Sequence, residues 1–181
     1  ECMVSPFRFV PNWRDTIANN HNIEKYMTLM CKKLNDMYYG QAIKQVIDWY
    51  IETLGNTTIE NNIISMQIAL ETLSYVILVE QEKVLSDEDF DRNLSSTNIR
   101  MLLHSCKIPI GKEELYLFDE YIQHKFLDGV DLITYFRNKI VHPSRKRNRA
   151  TLHVEDMWNI IQIAIRYVEL VILHMIEYKG E

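Results

Sequence analysis

The stretch Asp131-Leu-Ile-Thr-Tyr-Phe-Arg-Asn-Lys-Ile-Val-His-Pro-Ser-Arg-Lys-Arg-Asn-Arg149 joins a helical repeat, a stop signal and a run of positive charge. At about 3.6 residues per turn, Leu132, Ile133, Phe136 and Ile140 share one arc of roughly 100 degrees, the width of a core-facing stripe. Arg137, Asn138 and His142 fall on the other side, with Asp131 and Thr134. Asn138 and His142 are four apart and stack on one face. Pro143 disfavours helical geometry in the residue before it, which puts His142 on the last, loosening turn. From Leu132 to Val154 there is no acidic residue, while Arg145, Lys146, Arg147 and Arg149 crowd the exit. A histidine, an arginine and a strip of cations suit a partner that carries phosphate.

Outward from this segment the helical period recurs. Ile23, Tyr26, Met27, Met30, Leu34 and Met37 continue into Ile43, Val46, Ile47, Tyr50, Ile51 and Leu54, with Gly40 placed to kink or divide the run and Gly55-Asn56 to end it. A helix is expected from about Thr58 to Leu85, its apolar stripe made by Ile64, Ile68, Leu70, Leu73, Val76 and Ile77. The acidic turn Ser86-Asp87-Glu88-Asp89 suits the start of a short helix, because helix N-termini favour negative charge. Ser95-Ser96 is placed to cap the next helix, through Cys106; Lys112–Phe126 reads as another, and a long helix closes the chain from about Val154 to Tyr178. Five glycines and four prolines are few for 181 residues and favour long helices over a turn-rich sheet. The expected fold is all-α, an antiparallel bundle of about six to eight helices. Residues 1–20, with Pro6 and Pro11, read as a linker or the remnant of an upstream domain, and 21–181 as the helical domain.

Composition narrows the function classes. A formal net charge of −5 excludes a generally basic nucleic-acid coat, so any such binding is local. Cys2, Cys31 and Cys106 are widely spaced and lack a C-x-x-C pairing, which reads as reduced thiols in a cytoplasmic protein without a zinc site. Ile63–Val79 and Ile160–Ile176 lie at the short limit for a membrane span. Glu71 interrupts the first, Arg166 and Glu169 the second, so both read as buried core helices and no membrane partner is expected. His21, His104, His124, His153 and His174 show no metal-like pairing with carboxylates or cysteines.

The segment Tyr135-Phe-Arg-Asn-Lys-Ile-Val-His-Pro143 resembles the signature of HEPN domains: Arg, four to six residues, then His, with Asn commonly following the Arg. Ala69-Leu-Glu-Thr-Leu73, the helix Ile99-Arg-Met-Leu-Leu103 leading to Lys107-Ile-Pro-Ile110, and the closing Ile165-Arg-Tyr-Val-Glu-Leu170 are similar to the ApeA-like HEPN branch in particular. The likeness covers roughly Ile23 to the end. It implies a HEPN-like helical domain that forms a homodimer through its motif helices, and a metal-independent endoribonuclease with its cleft where two motifs meet. No cofactor is implied. Roles in phage defence or as a toxin occur among similar domains, as do non-catalytic modules that bind RNA or nucleotide or dimerise a larger protein.

The residues fit that chemistry, because RNA carries its own nucleophile in the 2′-hydroxyl. His142 would act as general base on that hydroxyl or as general acid on the leaving 5′-oxygen, a dimer supplying one histidine for each role. Arg137 would hold the non-bridging phosphate oxygens, and Asn138 would orient the imidazole or the phosphate. Arg145, Lys146, Arg147 and Arg149 would hold the RNA backbone, and Tyr135 would offer a ring for base stacking. Each piece also has a structural reading. Arg137 could pair with Glu71, a carboxylate on an otherwise apolar helix. His142 could serve as a helix C-terminal residue meeting the dipole, and the basic run as a solvated loop.

Overall fold

The computed structural model describes residues 20–37, 39–55, 58–142 and 154–179. Among these, eight α-helices follow one another and no strand occurs: α1 Asn20–Leu34, α2 Gly40–Leu54, α3 Ile59–Tyr75, α4 Asp87–Arg92, α5 Ser95–Ser105, α6 Glu120–Lys125, α7 Gly129–Val141 and α8 Val154–Met175. The protein is an all-α helical bundle, as the apolar periodicity predicts.

Helix α3 is the hub, touching α2, α5, α7 and α8. Its buried face is not quite the expected stripe. Ile63, Met66, Ala69, Leu70 and Leu73 are all at 0% exposure, with Gln67 and Ser74 buried beside them, whereas Ile64 and Ile68 are only half-buried, because α3 turns its other side to its neighbours. The Ser74 hydroxyl is satisfied within the helix, donating to the Leu70 carbonyl at 2.7 Å. Emptying such a core position costs about 2–5 kcal/mol, because the cavity collapses only in part. The long α8 packs along α3 and α7 and contributes Ile160, Ile161, Ala164, Tyr167, Val168 and Val171 to the same core. By length and composition Ile59–Gln81 and Val154–Met175 could each cross a membrane, yet 61% and 44% of their most apolar windows lie buried in the fold.

Local chemistry sets the element ends. Gly40 divides α1 from α2: a Cβ there would lie 2.4 Å from the Leu34 carbonyl oxygen, a clash with backbone that only glycine avoids. The Ser86 hydroxyl caps α4 by accepting from the Asp89 N–H at 3.1 Å, with Asp87, Glu88 and Asp89 in the first turn. The α3 chain runs on into wider π turns over Val76–Gln81. It ends at Lys83, which has left-handed backbone, as do Lys107 after α5 and Glu177 after α8 among the described residues.

Two expectations need correction. Ser95 does not cap α5; it is the first helical residue, and its hydroxyl donates instead to Glu71 on α3. Residues 112–126 are not one helix but a 3-10 turn, Lys112–Leu115, followed by α6. Leu115, Phe118, Ile122 and Phe126 are all buried, so the apolar spacing is real. The break comes from Asp119, whose carboxylate accepts from the Ile122 N–H at 2.8 Å and starts α6 afresh.

Candidate functional site on helix seven

The N-terminus of α7 is fastened by a carboxylate and a guanidinium. Asp128, 8% exposed, caps the helix by accepting from the Asp131 N–H at 2.8 Å. The same carboxylate takes a two-pronged bond from Arg100 on α5, Nε at 2.7 Å and Nη2 at 3.0 Å, with Asp131 a further 3.8 Å contact. The first residue of the helix is Gly129, where a Cβ would meet Ile163 Cγ2 at 2.7 Å and the Tyr167 hydroxyl at 2.8 Å. Beside it the buried Tyr167 hydroxyl donates to the Glu114 carboxylate. Burial raises the Glu114 carboxyl above its ordinary range despite that bond, and burial followed by the bond to Glu114 raises the Tyr167 phenol. None of these pairings was legible from local spacing, since Arg100–Asp128 and Glu114–Tyr167 join residues distant in the chain.

At the far end the two faces of α7 part company. Val130, Thr134 and Arg137, spaced by four and three, form one row along the helix, and the first two are buried. Thr134 therefore does not lie on the outer face as expected. It is 7% exposed, and its hydroxyl donates to the Val130 carbonyl at 2.9 Å. The buried arc is wider than the apolar stripe because α7 is wedged against α3, α5 and α8 at once. Arg137 emerges at the end of this row, half-buried. Its Nε is buried without a hydrogen-bond partner among the described residues, and Nη1 donates to Asn138 Oδ1 at 3.2 Å. Asn138 and His142 are exposed. His142 is the C-cap residue, with φ −119° and ψ 69° and its N–H bonded to the Asn138 carbonyl at 3.0 Å, the loosened last turn that Pro143 predicts.

The pairing of Arg137 with Glu71 does not form. Glu71 accepts from Gln67 Nε2 at 2.7 Å and from the Ser95 hydroxyl, so its partners on α3 and α5 are neutral donors. Arg145, Lys146, Arg147 and Arg149 lie outside the described residues. Tyr135 sits in a cluster that spacing alone did not reveal. Its ring meets Phe126 and Phe136 edge-on, with centroids 5.0 and 5.1 Å away. Lys125 Nζ lies 4.4 Å and Lys139 Nζ 4.8 Å from the ring centroid, and Lys125 donates to the Tyr135 hydroxyl at 3.0 Å. That bond, and the Lys139 ammonium, lower the Tyr135 phenol below its ordinary value.

A family model, the YopA C-terminal domain, matches residues 36–181. The chain belongs to this family. It is 27% identical over 177 residues to the SPbeta prophage-derived uncharacterized protein YopA of Bacillus subtilis strain 168, a match covering 94% of this chain and 39% of that protein. The chain thus spans about two fifths of the length of the curated relative it matches. No solved structure matches it.

Every candidate site residue falls within the part matched by the YopA C-terminal domain, whereas α1 precedes it. A separate cavity of about 320 Å³ opens between α1, α2 and α8, lined by Tyr26, Met30, Ile47, Tyr50, Glu169 and Leu173 among others. There the Tyr50 hydroxyl donates to Glu169 at 2.6 Å, and α7 contributes nothing to its walls.

Proposed function

We propose that this YopA C-terminal domain is a HEPN-like, metal-independent endoribonuclease domain whose cleft forms where the α7 ends of two copies meet. The observation that carries the reading is the state of Arg137. Its half-buried guanidinium has one described bond, sideways to Asn138, beside the exposed Asn138 and His142. A buried N–H without an acceptor is disfavoured by about 1–3 kcal/mol, and an anionic oxygen would relieve it. In the reaction, one His142 takes the proton from the 2′-hydroxyl as its oxygen attacks phosphorus. The P–O5′ bond breaks, and the second copy's His142 gives a proton to the departing oxygen. Arg137 neutralises charge gathering on the non-bridging oxygens. The products are a 2′,3′-cyclic phosphate and a 5′-hydroxyl.

The prophage origin of the matched relative supports a place for this activity in phage defence or a toxin-like system, and the three widely spaced cysteines suit the cytoplasm. A second reading, a non-catalytic HEPN module that binds RNA or dimerises a larger protein, draws on the same arginine. Its Nε is buried, as in a residue that braces the helix end. Cleavage of mixed cellular RNA by the purified chain in excess EDTA, beside the His142→Ala variant, separates the two. Cyclic-phosphate ends from the wild type alone support the enzyme. RNA bound but uncut by both supports the module.

A further inference from the structure

The cluster next to the motif has a chemistry of its own. Lys125, at the end of α6, hydrogen-bonds the Tyr121 hydroxyl at 3.2 Å and the Tyr135 hydroxyl at 3.0 Å, which holds its ammonium in place. Lys139 Nζ lies over the same Tyr135 ring from α7. Neither ammonium has a carboxylate within ion-pair distance among the described residues, in a chain whose acidic residues outnumber its basic ones. Two cations held at one ring without a neighbouring carboxylate make a local positive field that attracts an anionic ligand. Lys139 precedes His142 by three residues, one helical turn along α7, and Lys125 joins it from α6 through the shared Tyr135 ring. The ring of Tyr135 is enclosed by Phe126, Phe136 and the two ammoniums, which leaves it poorly placed to stack a base. Tyr121, 66% exposed, carries Lys125 Nζ 5.2 Å from its ring centroid but has no aromatic ring against it among the described residues, and so presents the more open aromatic surface at the edge of the cluster.

We infer that Tyr121, Lys125 and Lys139 form a subsite for one nucleotide of single-stranded RNA beside the scissile phosphate. The backbone phosphate lies between the ammoniums and the unpaired base stacks on Tyr121. A paired base could not present its face, which makes the subsite selective for single strands. The inference rests on the RNA-cleaving reading and supplies its substrate class.

The test is binding of a fluorescent 2′-O-methyl oligouridylate, which lacks the nucleophile and stays uncut, followed by anisotropy across a salt series. Replacing both lysines (Lys125→Ala with Lys139→Ala) is expected to lower the slope of log K against log salt by about 0.7, the share of one phosphate on a single strand. Tyr121→Ala is expected to weaken binding about 5-fold or more at every salt without changing the slope. Lys107→Ala, at the exit of α5, should alter neither. Tyr121 and Lys125 are exposed and outside the core, and equal melting temperatures would show that the variants fold. Wild-type binding that neither variant weakens rejects the subsite and leaves the nuclease reading standing. Equal loss of single-stranded and duplex binding in Tyr121→Ala rejects stacking as its basis. A wild type that binds no RNA overturns subsite and nuclease together.

Discussion

The clamp at the start of α7 separates two effects that usually travel together. Asp128 is both a helix cap and the partner of Arg100, with side-chain exposures of 11% for Asp128 and 28% for Arg100. The Asp128→Asn variant should still cap, since asparagine and aspartate rank alike there. It loses the negative charge and one charge-assisted bond to Arg100. Such bonds are worth about 1.5–3 kcal/mol when buried and a fully exposed pair about 0–1, so this partly screened pair should cost about 1–2 kcal/mol. Asp128→Ala also loses the cap, about 1 kcal/mol more. For a domain of this size each kcal/mol moves the melting temperature by about 2–4 °C, giving a drop of about 2–8 °C for the asparagine variant and about 4–12 °C for the alanine variant, the alanine variant always the lower. Thermal unfolding followed by far-ultraviolet circular dichroism checks both. Arg100→Met completes a double-mutant cycle with Asp128→Asn, and the pair should lose less together than the sum of the two alone. Equal losses for asparagine and alanine, or strict additivity in the cycle, would refute the assignment of two distinct roles.

Three further outcomes follow from the same neighbourhood. Burial raises the Glu114 carboxyl, so the folded state holds that proton more tightly than the unfolded chain, and stability should fall as pH rises above the ordinary value of 4.5. Urea midpoints measured from pH 4.5 upward should show this slope, and Glu114→Gln should flatten it. Gly129→Ala would drive a methyl against Ile163 and Tyr167, within 2.8 Å of both, and should destabilise by about 1–3 kcal/mol in urea titration. Lys125→Met removes the ammonium that does most to lower the Tyr135 phenol, so a tyrosine absorbance titration should show one phenol moving to higher pH.

The fold was legible where burial follows a simple period. The run Ile43, Val46, Ile47, Tyr50 and Leu54 is spaced as a helix must be, and Gly40 divides its run as its lack of a side chain predicts. On α3 the helix was legible but its buried side was not, since Ile63, Met66 and Ala69 take the core and Ile64 and Ile68 do not. Helix ends were harder, because Lys83, Lys107 and Glu177 take the left-handed turn that glycine usually signals. The break at Asp119 carried a signal, an aspartate before Glu-Tyr-Ile, which the regular spacing of Leu115, Phe118, Ile122 and Phe126 concealed. On α7, Asn138 and His142 could be placed outward from the wheel. Arg137 and Thr134 could not, because the number of neighbours around a helix is a tertiary fact. The partners of Glu71, Asp128 and Tyr135 were hidden for the same reason: Ser95, Arg100 and Lys125 reach them from other helices.

The central claim is attack by the RNA's own 2′-hydroxyl under the control of His142. It is tested most directly with a defined RNA that the chain cuts, compared in excess EDTA with the same RNA carrying a single 2′-deoxy residue at the cut position. The first should yield a 2′,3′-cyclic phosphate and a 5′-hydroxyl, and the second should resist at that position, with His142→Ala cutting neither. Cleavage that persists at the deoxy position, or in the His142→Ala protein, would contradict it.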